Sequence, residues 1–472
     1  MNATVMRAGI LAGMILLTLA HADPRRAVVR AAVPGRAIGH VLVIDLENED
    51  YADTYGPNSP AVYLNSTLLK QGQLIPNYFA TSHASLGNYL SQVSGQQSTA
   101  AQNNDCPGLG SLAQPSPLGS FTDVSPGTDA TDQLKFPGQV LGDGCVFPAP
   151  SKQARGVRTI ADQLDAQYPH QRGLNWRGYA EDMGNDLARD YGTPDALGGA
   201  DCAHPPIGGV DHSNDATAID QYATRHNPFV YFHSIIDDVG RCNRHVVPLG
   251  WLSLGRDGAA DTFHGHLYRD LRQLETTPRF MFVSPNLCND GHDDPCAAPN
   301  VEGRRDAAGK NIGGLVSADL WLRHWMPMIL SSPAYQNGTL LVVLTFDEAG
   351  ITDSRACEKV KQADCHPPIG PNSSNPGFSS LSAMEGLQMT PTQPYVYPGG
   401  GQIGAVLFNK RYIRPGTVNN TGSYSHYSAL RSYEDLLGLT TRGDDGLGHL
   451  GYAAVPDLRP FGADVFNQAA VR

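Results

Sequence analysis

The sequence predicts an α/β fold with a mostly parallel central sheet flanked by helices and long disulfide-tied loop insertions. Two apolar runs, 41–44 and 340–346, are short, continuous and rich in Val, Leu and Ile, the pattern of strands buried on both faces. Strand-like and helix-like segments alternate along the chain, and no internal repeat interrupts them. Each apolar run also ends in oxygen donors: Asp45-Leu46-Glu47-Asn48 after the first, Asp347-Glu348 after the second. In α/β sheets ligands bind in the crevice beyond such strand ends. The pair therefore predicts one metal site built from both ends of the chain, although acids that merely cap following helices would explain either stretch alone.

Residues 1–22 carry Arg7, an apolar run over 8–20 and Ala20-His21-Ala22, the pattern of a cleavable signal peptide, so a secreted or periplasmic location is expected. No later stretch approaches the roughly 18 apolar residues of a transmembrane helix. Residues 23–37 read as a mobile polar leader and 38–465 as a single domain with insertions at 96–155 and 349–400. Strand 40–46 precedes a helix or turn at 61–72, an extended segment at 74–80 and a strand-to-helix turn at 81–90. A helix is expected over 159–167, and residues 178–183 follow a strand. Next come a strand at 229–235, a helix at 267–274 and a strand at 279–285. Helix 316–330 gathers Trp321, Leu322 and Trp325 on one face; strands 340–346 and 402–409 and helix 426–438, stopped by Gly438, complete the pattern.

Composition narrows the function. The chain has 34 Lys+Arg against 46 Asp+Glu, a net charge of −12, and no basic block. That speaks against a nucleic-acid groove and against attraction to anionic membranes. Eight cysteines, an even number with no C-x-x-C pair, fit disulfides in an exported chain better than a thiolate metal site. Sequential pairing is the simplest arrangement, with Cys288–Cys296 and Cys357–Cys365 closing short loops.

Ser85, at the strand-to-helix turn, is the candidate nucleophile, because a hydroxyl there stands near helix N-terminal amides that attract anions. It lacks a G-x-S-x-G setting, so activation by a metal fits better than acyl transfer; a plain N-cap serine is the competing explanation. Glu47, Asn48, Asp347 and Glu348 are hard donors suited to Mg, Ca or Mn, or to Zn with histidines. His292, among Asp290, Asp293 and Asp294, follows another strand and is suited to a metal or an anionic oxygen. His426 opens the last helix, where a neutral imidazole is favoured. His83 and Asn88 flank Ser85 as support or substrate contacts, and His233 is a weaker candidate. His245 and His324 read as structural.

The blocks ENEDYADTYG, NYFATSHASLGNYLSQVSGQ, SPNLCNDGHD, TFDE and SHYSALRSYEDLLGL resemble, in order, the signatures of the bacterial phosphoesterase family. That family contains secreted acid phosphatases and phospholipases C and belongs to the alkaline phosphatase superfamily. The blocks span roughly residues 39–440. The resemblance implies an alkaline-phosphatase-like fold and a divalent ion on Glu47, Asn48, Asp347 and Glu348, with Ser85 as metal-bound nucleophile. It also implies that His292 and His426 contact the transferred phosphoryl group or hold a second metal. Ala84 and Gly87 replace prolines common in similar chains, and the first block lacks the ENRSFD form of the phospholipase C branch. The expectation is a secreted, metal-dependent acid phosphatase that hydrolyses phosphomonoesters, acting on a small phosphorylated substrate through Ser85, Asn48, His292 and His426. A phospholipase C-type diesterase and a non-catalytic metal-binding protein are the alternatives. A sulfatase is disfavoured because no Cys/Ser-x-Pro-x-Arg motif surrounds Ser85.

Overall fold

The computed structural model describes residues 37–99, 101–106, 121–126, 136, 138–150, 156–170, 173–350 and 399–467. The expected signal segment, the leader up to residue 36, and Cys357 and Cys365 lie outside the described residues.

Eight strands form the central sheet: β1 (His40–Leu46), β2 (Gln73–Ile75), β3 (Trp176–Ala180), β4 (Val246–Pro248), β5 (Phe280–Ser284), β6 (Leu340–Phe346), β7 (Ala405–Phe408) and β8 (Thr417–Val418). Their spatial order is β8-β2-β7-β6-β1-β5-β3-β4. The run from β6 to β4 is parallel, and β7 is antiparallel to both its neighbours. The expected mostly parallel α/β sheet is thus observed. The apolar content of the two sequence-flagged runs has a direct reason, since β6 is buried along its whole length and β1 is buried from Val41 onward.

Four helices matter for the site or the core: α1 (Ser85–Ser94), α2 (Ile160–Gln167), α3 (Gly314–Ser331) and α4 (His426–Leu436). Thr159 and Asp162 close a capping box on α2, and Ser425 and Ser428 close one on α4. Trp321, Leu322 and Trp325 of α3 are buried together, as their spacing predicts. α4 packs on α1. Three disulfides, Cys106–Cys145, Cys202–Cys242 and Cys288–Cys296, follow the sequential pairing.

One expected strand is not a strand. Residues 229–235 fold as a 3-10 turn, Pro228–Tyr231, followed by a short helix, His233–Ile236. Continuous burial of Phe229, Val230, Tyr231 and Phe232 mimics a sheet-core strand, but Pro228 starts a turn and the segment lies over the sheet. A short apolar run does not separate these cases by periodicity. The Phe229 ring packs on Gly178 of β3, where an added Cβ would meet Phe229 Cδ2 at 2.6 Å. Gly178→Ala should therefore destabilise the protein by about 1–3 kcal/mol through overpacking, read as a lower urea midpoint. An unchanged midpoint would contradict this packing.

Other differences are local. β4 and the hairpin Trp251–Leu254 with Ala260–His264 have no counterpart among the sequence expectations. The hairpin is largely solvent-facing and lacks the apolar alternation that marks a core strand. His245 and His324, expected to be structural, are both engaged in local contacts. His245 stacks on Trp176 and bonds its carbonyl at 2.7 Å, and His324 Nε2 lies 2.8 Å from Glu302 Oε1.

Candidate active site

β6, β1 and β5 are adjacent and parallel, so the residues after their last positions emerge side by side. Leu46 is in register with Phe346. Asp347 N–H donates to the Leu46 carbonyl at 2.8 Å, and Glu47 N–H to the Asp290 carbonyl at 2.9 Å. Three strand ends thereby deliver Glu47, Asp347-Glu348 and Asp290 to one place. All four carboxylates are buried.

α1 brings Ser85 to the same place. Ser85 Oγ donates to Glu47 Oε2 at 2.9 Å. The turn before it is strained: Ala84 has φ 71°, ψ 131°, a left-handed region that non-glycine residues rarely enter. Proline, fixed near φ −65°, is incompatible with this turn. At Gly87 a Cβ would lie 2.0 Å from Ser98 Oγ and 2.4 Å from Ser82 Oγ. Asn88 holds the turn closed: its Oδ1 accepts from Thr81 N–H at 2.9 Å and Ser82 N–H at 3.0 Å, and its Nδ2 donates to the Ser82 carbonyl at 2.8 Å. These bonds engage both polar atoms of the Asn88 amide with the backbone just before Ser85.

The remaining expected residues divide by their contacts. Asn48, also left-handed at φ 47°, donates its N–H to Asp347 Oδ1 at 3.0 Å. His83 Nδ1 meets Glu348 Oε2 at 2.5 Å. His426 is fully buried; its Nε2 donates to the Asp347 carbonyl at 2.7 Å, and Nδ1 faces the Tyr78 hydroxyl at 3.4 Å. Burial lowers both histidines to about 4, which keeps them neutral. These contacts tie His83 to Glu348 and His426 to the Asp347 carbonyl. His292 Nδ1 bonds Asp293 Oδ1 at 2.8 Å, and that bond is the main reason its pKa rises to about 9. The His292 side chain is 45% exposed, so it is a solvent-accessible cation beside the cluster. His233 is engaged by Asp123 at 2.8 Å and Asp237 at 2.7 Å, and neither is a member of the cluster.

Two contributors were not among the sequence candidates. Asp290 is the buried acid of the 285–294 stretch, held because Glu181 accepts from Asn286 N–H at 3.0 Å and Asn289 Nδ2 at 3.2 Å. His226 sits in the 3-10 turn Thr224–His226, stacked on Tyr89 with centroids 5.1 Å apart. Its Nε2 is 3.2 Å from Glu47 Oε1 and its Nδ1 3.6 Å from Asp290 Oδ2, close but not aligned for hydrogen bonds. The three-carboxylate spacing around His292 pointed near Asp290; no strand end flags His226.

The electrostatics of the cluster are those of crowded, buried acids. Burial, then Asp347 and Asp290, pushes Glu47 well above the carboxylate range. Burial, then Glu348, does the same to Asp347, and burial followed by Asp105 does so to Glu348. Burial lifts Asp290 to about 7. Glu47 Oε1, Asn48 Oδ1, Asp290 Oδ2, Asp347 Oδ2 and both His226 nitrogens are buried without hydrogen bonds. Crowded carboxylates with unsatisfied oxygens and a neutral imidazole are a donor set that fits a divalent cation. Among the described residues, the trio whose ligand atoms all lie within 4.8 Å of one another is not this cluster but Asp195, Asp201 and His266, where Arg177 Nη1 lies 3.0 Å from His266 Nδ1. That guanidinium already supplies positive charge there.

The chain is similar to an acid phosphatase of Aspergillus fumigatus, 22% identical over 67% of this chain and 46% of that protein. It is also similar to a phosphate-repressible acid phosphatase of Penicillium chrysogenum, 26% identical over 67% of this chain and 49% of that one. The chain spans about half the length of the curated relatives it matches. These relatives bear out the likeness to phosphoesterases, through fungal enzymes and not a bacterial family specifically. Among solved structures it is similar to a protein in the alkaline phosphatase superfamily from Vibrio parahaemolyticus, with TM-score 0.42, 10% identity, and coverage of 89% of this chain and 70% of that one. No protein-family model matches the chain.

Proposed function

We propose that this chain is an exported, metal-dependent acid phosphatase that hydrolyses small phosphomonoesters through Ser85. One observation carries the reading: Ser85 Oγ is bonded at 2.9 Å to Glu47 within a buried carboxylate cluster in which Glu47 Oε1, Asp290 Oδ2 and Asp347 Oδ2 have no hydrogen bond. The names of the curated relatives support the substrate class. The three disulfides support export, and none of the described helices is long and apolar enough to cross a membrane.

Glu47, Asn48, Asp347 and Glu348, with Asp290 and His226, would hold a divalent ion (Ca, Mg, Mn or Zn). Bound there, such an ion lowers the pKa of a neighbouring hydroxyl and offsets charge on phosphoryl oxygens. Ser85 Oγ forms the new bond to phosphorus while the leaving oxygen departs in line, and its proton passes to Glu47 Oε2. His292, cationic and accessible, meets the phosphoryl oxygens and protonates the leaving group. Water, giving a proton to the now neutral His292, then attacks phosphorus from the vacated side as the phosphorus–Oγ bond breaks, and Ser85 Oγ takes its proton back from Glu47. His426, His83 and Asn88 act by holding Asp347, Glu348 and the Ser85 turn.

The test compares p-nitrophenyl phosphate with p-nitrophenylphosphorylcholine, with and without chelator. Chelator-sensitive turnover of the monoester alone is expected; turnover of the diester would move the chain to the phospholipase C type. His226→Gln should weaken manganese binding by about ten- to a hundredfold, read by calorimetric titration. An unchanged affinity would remove His226 from the ligand set.

A further inference from the structure

Asp105 follows the 3-10 turn Gln102–Asn104 and precedes Cys106, whose disulfide to Cys145 anchors it. Its buried carboxylate reaches the N-terminus of α1, where Oδ1 accepts from Leu86 N–H at 2.9 Å, one residue past Ser85. Oδ2 lies 4.0 Å from Arg225 Nε. Arg225 is itself largely buried, and its Nη1 donates to the Asn214 carbonyl at 2.7 Å. A helix-terminal amide and a guanidinium facing one carboxylate form the donor set that also recognises a phosphoryl oxygen. Asp105 belongs electrostatically to the site: its charge bears on Glu348, and that of His292 bears on Asp105.

A cap alone does not account for it. Ala84, the residue preceding α1, makes no side-chain cap, so an acceptor for Leu86 N–H has to come from elsewhere. Asn or Ser ranks with Asp as a helix-end acceptor, so the charge of Asp105 serves Arg225 and not the cap, and it adds a further negative charge beside four buried carboxylates. We propose that Asp105 is a specificity-determining residue whose carboxylate occupies a phosphoryl-oxygen seat formed by Leu86 N–H and Arg225, so that a phosphoryl group binds by displacing it. This rests on the phosphatase reading and adds the competitor that sets phosphate affinity.

The experiment titrates inorganic phosphate calorimetrically into the full chain in magnesium buffer, for wild type, D105N, D105S and R225Q. Turnover of p-nitrophenyl phosphate and its inhibition by phosphate are measured in parallel. Removing the competing charge should tighten phosphate binding by about tenfold in D105N and D105S, and R225Q should weaken it by about tenfold. The inhibition constant should move with the affinity, while the melting temperature of D105N stays near wild type. If the wild type turns over monoester but both Asp105 variants bind phosphate no more tightly, this inference is overturned and the phosphatase reading stands. If the wild type neither binds phosphate nor turns over monoester, both are overturned.

Discussion

Ser85→Ala should lower kcat on p-nitrophenyl phosphate by about a thousandfold or more, the scale on which loss of a catalytic nucleophile is read. Among the described residues, Ser85 Oγ bonds Glu47 Oε2 at 2.9 Å, and no other hydroxyl is bonded to that carboxylate. The strained Ala84 turn and the Asn88 clamp hold this one side chain at the cluster. The variant should keep its fold, because an alanine at the first position of α1 removes no backbone hydrogen bond. Manganese binding by calorimetry should survive with at most a modest loss, since the carboxylates remain. Near-wild-type turnover would mean that water, not serine, attacks phosphorus. Lost metal binding would mean that Ser85 is chiefly a ligand.

Metal removal should have the second large effect, and it should depend on pH in a defined direction. Burial raises Asp290 to about 7 and lifts Glu47, Asp347 and Glu348 well above the carboxylate range. In the metal-free protein these groups bind more protons folded than unfolded, so stability falls as pH rises. For Asp290 the contribution is fully present below the ordinary carboxyl value of 3.8 and is lost as pH climbs to about 7. A bound cation reverses the penalty by stabilising the ionised forms. Chelated protein should therefore melt lower at pH 7.5 than at pH 5, and added divalent ion should raise the melting temperature more at the higher pH. Equal metal effects at both pH values would contradict the cluster as the binding site. Activity should be lost with chelator and regained with metal.

Much of this site was legible because β1 and β6 announce themselves. Their apolar runs end in acids, and adjacency in a parallel sheet brings those acids together. Ser85 was legible from the turn that precedes α1. His226 was not, because it reaches Glu47 from a 3-10 turn whose local sequence has no periodicity. Asp105 was not, because its partner, Leu86 N–H, is a backbone group that no side-chain pattern reports. The 229–235 run misled for the opposite reason: burial made a turn look like a strand. His426 was placed correctly at a helix start, but sequence does not say that its imidazole is turned toward the Asp347 carbonyl.

The most direct test of the central claim is rapid acid quenching during p-nitrophenyl phosphate turnover, followed by mapping of protein-bound phosphate. The account predicts phosphate on Ser85, absent from Ser85→Ala, and transfer of phosphate to an added alcohol in the wild type. Phosphate on a histidine, or turnover with neither labelled Ser85 nor transfer to the alcohol, would contradict it.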